Sequence, residues 1–245
     1  MRIPNIYTES LLSTNSDVEL DANAAQHIAK VLRMKKGFKL KLFNGDGFYY
    51  DAELTEVDRR SVRAAITERS SCETESKLET HLAIVVSRGD RMDYAIQKAT
   101  ELGINSILPL TSERCEVKLS DEREDKRLKR WQQVAISACE QCGRARVPTI
   151  HAIQTLEEFI SDPQINASLK LVLHHRDTQD LSSISPPPTS VCMLIGPEGG
   201  LTSDEIDAAR NRDFKACTLG PRVFRTETAP VAALSVLQWL WGDFQ

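Results

Sequence analysis

No apolar run in this 245-residue chain approaches the roughly 20 residues that span a bilayer. Nothing behind Met1-Arg2-Ile3-Pro4 resembles the apolar core of a signal peptide either. These absences predict a cytoplasmic location. Six cysteines, at 72, 115, 139, 142, 192 and 217, are too few and too scattered for a disulfide framework. Cys139 and Cys142 form a Cys-x-x-Cys late in a helical pattern. No second cysteine pair completes a zinc site, so they read as small apolar core residues. His174-His175 lacks a His or Glu partner at helical spacing; no metal is expected, and the pair reads as a strand end near a ligand. Positive charge is also short: 31 Lys+Arg stand against 35 Asp+Glu, a net charge of −4. That balance does not advertise a nucleic-acid binder. Two phosphate cradles are missing as well. No Gly-Lys-Ser/Thr closes a Walker loop, which argues against a kinase-like nucleotide enzyme, and no early Gly-x-Gly-x-x-Gly opens a dinucleotide site.

Charge is unevenly spread. Residues 1–72 hold 11 basic and 10 acidic side chains, whereas the remainder hold 20 and 25. Within the first stretch Lys30, Arg33, Lys35, Lys36, Lys39 and Lys41 fall in one window without an acid. A solvated face usually mixes signs, so this window is a candidate contact for phosphates. Asp21 is placed to cap a helix carrying Ala24, Ala25, Ile28, Val31 and Leu32 on its apolar side. Residues 38–43 alternate apolar and basic. Asn44-Gly45-Asp46-Gly47 is a turn, residues 48–57 return as a strand, and 61–67 add a third. Short strands around one helix predict a small β-barrel.

Polar residues 70–79 read as a linker. Strands and helices then alternate, predicting a largely parallel sheet covered by helices. Strands are expected at 81–87, 105–110, 169–174, 191–195 and 214–219, and a long helix from about Asp121 to Gln141. Between Ala229 and Trp241 only Ser235 and Gln238 are polar. A helix apolar on nearly all sides needs cover on nearly all sides, which predicts a homodimer or a helix buried in the subunit.

The densest motif is Gly196-Pro197-Glu198-Gly199-Gly200, leaving the buried strand Val191–Ile195 and entering a helix capped by Thr202-Ser203-Asp204-Glu205. At this edge of an open α/β sheet ligands bind, and glycines let backbone amides approach them. Glu198 would repel a phosphate, so a neutral or cationic ligand suits the loop better. One unit later Gly220-Pro221-Arg222 and residues 223–230 form a second Gly/Pro-rich loop. The two loops would meet if their strands were neighbours.

Leu194-Ile195-Gly196-Pro197-Glu198-Gly199-Gly200, followed by Leu219-Gly220 and Arg225-Thr226-Glu227-Thr228-Ala229, resembles the SPOUT-class RNA methyltransferases. In particular it is similar to the bacterial uridine-N3 methyltransferases of small-subunit ribosomal RNA. Further matches are His27 to Arg33, Arg91, Gln97 to Gly103, Glu113-Arg114, Glu140 to Arg144, and Val147-Pro148. Val223-Phe224 stand where Ile-Leu is usual and Cys142 where Ser is common; both keep the apolar or small character.

The resemblance implies a PUA-like RNA-binding domain over 1–72 and, over 73–245, a SPOUT domain. In the latter a parallel sheet with helices on both faces is tied in a trefoil knot and packs as a homodimer. It implies S-adenosylmethionine as methyl donor, held by Leu173, Leu194, Ile195, Gly196, Gly200, Leu219, Gly220, Val223, Phe224 and Arg225. It also implies a uridine of ribosomal RNA as acceptor, within an assembled small subunit; the basic window of Lys30, Arg33, Lys35, Lys36 and Lys39 is the candidate contact to that RNA. Uridine N3 is a poor nucleophile until deprotonated, and a guanidinium near its carbonyl oxygens would stabilise the developing anion. Arg144 and Arg225 are the candidates, though each also fits a structural ion pair. Glu198 is a candidate base, or a partner of the loop or of the sulfonium. A non-catalytic RNA-binding module with a vestigial pocket is the alternative.

Overall fold

The computed structural model describes residues 3–58, 61–117, 121–161, 166–174 and 181–245. His175 lies outside them. The chain divides into two compact units, Met1–Glu75 with Ile136–Val147, and Ser76–Ala135 with Pro148–Gln245.

In the first unit, β1 (Asn5–Tyr7), β2 (Ser16–Glu19), β3 (Lys39–Phe43), β4 (Phe48–Val57) and β5 (Val62–Ser71) form a five-stranded sheet in the order β1-β3-β4-β5-β2. The alternation in β3 buries Leu40 and Leu42 and turns Lys39 outward, as a period of two requires. The turn after it is fixed by its own side chains: Asp46 Oδ1 accepts from Phe48 N at 2.9 Å and Oδ2 from the Tyr50 hydroxyl at 2.7 Å. Gly45 and Gly47 there take positive φ. β5 continues through Ser71 because Tyr49 and Phe48 pair with Ser70 and Ser71, so two residues expected in the linker are strand.

Asp21 caps α1 (Ala22–Gln26), accepting from Asn23 N and Ala24 N, while Thr8 and Glu9 N donate to its other oxygen. Burial pushes its carboxyl up, yet these donors outweigh burial and hold it below the usual range. The expected helix then departs from its period. His27–Val31 is a π turn, with Leu32 N bonded to His27 O five residues back. The wider turn keeps Ile28 in the core but leaves Val31 66% exposed and Leu32 facing solvent, correcting the apolar side expected for both.

A second cluster in this unit gathers Phe43, Tyr49, Cys139 and Ala145, with Tyr7, Cys72 and Val147 against it. The rings of Tyr7, Phe43 and Tyr49 meet edge to face. Cys139 is fully buried and burial pushes its thiol up to about 12, the environment of an inert core cysteine. This packing is why residues 136–147 join the first unit.

The second unit holds β6 (Glu79–Val85), α2 (Arg91–Glu101), β7 (Ser106–Thr111), α3 (Asp121–Cys142, its last turns in the first unit), β8 (Thr149–Ile150), β9 (Gln154–Thr155) and α4 (Leu156–Ser161). β10 (Leu169–Leu173), β11 (Ser190–Ile195), α5 (Ser203–Arg210), β12 (Phe214–Cys217) and α6 (Thr228–Trp241) follow. The sheet order is β12-β10-β11-β6-β7-β8, with β9 also on β7, and every pairing is parallel. β11 is buried at every position, as a central parallel strand must be. Gly103, at φ 85°, ends α2. There α6 is pinned: Gln238, fully buried, donates to Leu102 O at 2.9 Å and accepts from Ser76 Oγ at 2.7 Å. Ala229, Ala233, Leu234 and Leu237 of α6 are buried within this unit, whereas Val236 and Trp239 are exposed. No helix among the described residues is long and apolar enough to cross a membrane.

Candidate active site

The two Gly/Pro-rich loops leave β11 and β12, which are not adjacent: β10 lies between them. They meet all the same. A cavity of about 630 Å3 at the carboxyl edge of the sheet takes its wall from both loops and from Leu173 and His174 at the end of β10. The sheet order thus brings three strand ends to one place, where open α/β sheets bind ligands.

The first loop is held from three sides. Gly200 N bonds to Pro197 O at 2.9 Å. Thr202 and Glu205 form a reciprocal capping box at the start of α5, and the other Glu205 oxygen accepts from Glu113 N at 2.9 Å. Arg114 Nη1 donates to Gly199 O at 3.0 Å, and Arg91 Nη1 to Glu198 Oε1 at 2.8 Å. The two key glycines act differently. A Cβ on Gly196 would stand 2.9 Å from Leu201 Cγ and 3.1 Å from Leu201 N, whereas Gly200 faces open space at φ +68°. Gly196 therefore permits the chain to pack on itself; Gly200 permits a left-handed turn beside the cavity.

In the second loop the Thr218 hydroxyl donates to Gly220 O at 3.0 Å, and Thr228 N and Ala229 N bond to Arg225 O as α6 begins. Val223 is 84% exposed, Phe224 is partly covered, and the Arg225 side chain reaches solvent.

Ile195, Gly196, Glu198, Gly200, Leu173, Leu219, Val223, Phe224 and Arg225 all line the cavity. Leu194 does not; it is fully buried in the core beneath it. Arg144 is not among the lining residues either. Its side chain is 4% exposed and grips Glu75 through Nε and Nη2, the latter at 2.8 Å. Of its two readings, this geometry favours the ion pair. Lys30, Arg33, Lys35, Lys36 and Lys39 lie in the first unit, all exposed, and none forms an ion pair among the described residues. Exposed Val31, Leu32 and Phe38 interleave with them. Gly220 and Gly199 complete the loops, though Gly220 stands outside the lining set.

Sequence reasoning did not assign Arg91, Arg114, Thr218, Arg222 or Glu227, which also line the cavity. Arg91 and Glu113-Arg114 carried a signal, since they belong to the matching motifs. Apolar Leu173, Ile195, Leu219 and Phe224 line the cavity beside backbone-rich loops, together with the carboxylates of Glu198 and Glu227 and four arginines. The apolar walls beside backbone amides and carbonyls suit a nucleoside-sized ligand, in a volume usual for such sites. Among the described residues no three His, Cys, Asp or Glu side chains gather as a metal ion would need.

A parallel sheet with loops converging on such a cavity, in one chain with a small β-sheet unit, defines an α/β enzyme of the nucleoside-cofactor class. The RNA methyltransferase domain family matches residues 74–238, and the RNA methyltransferase PUA domain family matches residues 20–67. The chain belongs to the RNA methyltransferase domain family. It is 35% identical over 242 residues to ribosomal RNA small subunit methyltransferase E of Buchnera aphidicola (from Schizaphis graminum), covering 99% of this chain and 98% of that one. Among solved structures, a methyltransferase of Legionella pneumophila in complex with S-adenosylmethionine is 38% identical, with full coverage of both chains and a TM-score of 0.95. Ribosomal RNA small subunit methyltransferase E of Neisseria gonorrhoeae, bound to S-adenosylmethionine, is 39% identical, again with full coverage of both, at a TM-score of 0.92.

Proposed function

We propose that this protein transfers a methyl group from S-adenosylmethionine to N3 of a uridine in small-subunit ribosomal RNA. The observation that carries the reading is the convergence of both loops and the β10 end on one cavity, in a chain similar over its full length to methyltransferases solved with that donor. S-adenosylmethionine supplies an electrophilic methyl on a sulfonium. The chain's part is to hold the donor, align the acceptor and manage its proton.

Leu173, Ile195, Leu219 and Phe224 supply apolar walls, and the Gly196, Gly200 and Gly220 backbone supplies amides and carbonyls, with Leu194 supporting them from the core. Arg225, exposed at the mouth, stabilises negative charge developing on the uracil oxygens. Glu198 holds Arg91 in place and adds negative potential for the sulfonium. In the first unit, the unpaired basic window from Lys30 to Lys39 contacts phosphates, and Phe38 among them offers a ring to a base. In this reading residues 1–72, with the 136–147 segment packed on them in the first unit, bind RNA, and the remainder of 73–245 is the catalytic domain, with the chain knotted there.

The exposed Val236 and Trp239 on α6 support a homodimer through that face. A cytoplasmic protein acting on an assembled small subunit completes the reading. Calorimetric titration with S-adenosylmethionine, followed by mapping of the modified base on ribosomal RNA, tests it; absence of donor binding would reject it.

A further inference from the structure

A second cleft, of about 820 Å3, opens beside the first, and its lining includes Arg88, Arg91, Tyr94, Glu116, Glu198 and Glu227. Arg91, Glu198 and Glu227 line both. One guanidinium and two carboxylates therefore form the seam between the clefts. The carboxylates differ. Glu198 Oε1 accepts from Arg91 at 2.8 Å, whereas Glu227 Oε2 is buried with no hydrogen-bond partner, and Arg91 Nε stands 3.9 Å away. Nor does Glu227 serve its helix: at the N-cap position of α6 its side chain makes no capping bond. A buried acceptor left without a donor is costly, and a ligand that brings an N–H removes the cost. On the outer wall of the same cleft Tyr94 is 47% exposed, and Arg88 pairs with Glu116 at 3.2 Å. An open ring beside guanidinium groups is the platform on which a nucleobase stacks.

We infer that this second cleft seats the acceptor uridine and that Glu227 is a catalytic residue, the group that takes the N3 proton. The inference rests on the methyl-transfer reading above. As the N3 proton passes to the Glu227 carboxylate, the nitrogen electron pair forms the new N–CH3 bond. The S–CH3 bond breaks and its pair stays on sulfur, which becomes a neutral thioether; the carboxylic acid afterwards returns its proton to water. Arg91, at the seam, faces the uracil oxygens as charge develops.

The test is single-turnover transfer from S-adenosylmethionine to small-subunit ribosomal RNA, with donor affinity by calorimetry and the thermal midpoint measured alongside. Glu227→Gln keeps the shape and should slow transfer by about 10²- to 10⁴-fold, with the midpoint unchanged and any change in donor affinity far smaller than the loss of rate. Raising the pH should partly restore this variant, because hydroxide ionises the imide in solution. Arg88, Asp90, Arg91, Tyr94, Glu116 and Glu198 also face the cleft but are common to both proteins, so the difference between the two profiles belongs to Glu227. Tyr94→Ala, on the exposed wall, should lower kcat/KM for RNA by roughly five- to 150-fold, and Tyr94→Phe should restore it. A Gln variant that transfers at the wild-type rate, or that loses donor affinity in proportion to rate, overturns the inference. So does a Tyr94→Ala protein that keeps its kcat/KM. Wild-type protein that binds the donor yet methylates no uridine overturns the underlying reading as well.

Discussion

Arg91 Nη1 lies 2.8 Å from Glu198 Oε1, tying the first turn of α2 to the loop after β11. Both side chains keep substantial solvent access, so the pair contributes only about 0–1 kcal/mol to stability. Its effect is positional. Together with Arg114 on Gly199 and Glu205 on Glu113, it holds a loop of small residues in one shape before any ligand arrives.

That preorganisation makes the two glycines separable. Gly200→Val places a branched side chain at φ +68°, a strain of roughly 1–2 kcal/mol, with no neighbour to strike. It should weaken S-adenosylmethionine binding while the fold persists. Gly196→Ala drives a Cβ against Leu201 and should lower the thermal midpoint as well. Calorimetry with the donor and a melting curve distinguish the two; normal donor binding by Gly200→Val would mean that the cavity is not the donor site.

The arginines separate in the same way. Arg225→Ala should retain donor affinity and lose about a hundred- to thousandfold in transfer rate. Arg144→Ala leaves the largely buried Glu75 without its guanidinium, with only the Arg146 amide among the described residues still donating to it, and should cost about 3–5 kcal/mol of stability instead. Chemical denaturation beside single-turnover kinetics reads both effects. Wild-type turnover in Arg225→Ala would remove it from the mechanism.

Much of this was legible in the sequence where the signal is local. The buried run of β11, the capping box of α5, the Asn44–Gly47 turn and the Asp21 cap each depend on residues within a few positions of one another. β1 and β2 were not legible, because segments of three and four residues carry too little alternation to distinguish from loop. The π turn was also hidden: Val31 and Leu32 keep the helical apolar period in sequence and lose it in space. In the site, the contiguous loop residues were readable, whereas Arg91 and Arg114 arrive from 107 and 85 residues away. Only the sheet order, which puts β10 between β11 and β12, explains why both loops share one cavity.

The basic window offers a test by salt. Neutralising Lys35, Lys36 and Lys39 to Ala should weaken RNA binding and reduce the slope of log K against log salt by about one unit for each phosphate no longer neutralised. Donor affinity should stay the same. An unchanged slope would return these residues to an ordinary solvated surface.

On α6 the buried and open faces give opposite outcomes. Leu237 is 1% exposed within the subunit, so Leu237→Ala should cost about 2–5 kcal/mol of folding stability. Trp239 is 58% exposed, and Trp239→Glu should dissociate a homodimer without lowering the stability of the subunit. Light scattering at micromolar concentration checks this, and a monomeric wild-type protein would contradict it.

The central claim is tested most directly by following isotopically labelled methyl from S-adenosylmethionine into small-subunit ribosomal RNA and locating it by mass spectrometry of the digested nucleosides. The account predicts one labelled nucleoside, a uridine carrying the methyl at N3, formed by the wild-type protein and about a hundred- to thousandfold more slowly by Arg225→Ala. Label on another base, or donor bound with no methyl reaching the RNA, would contradict it.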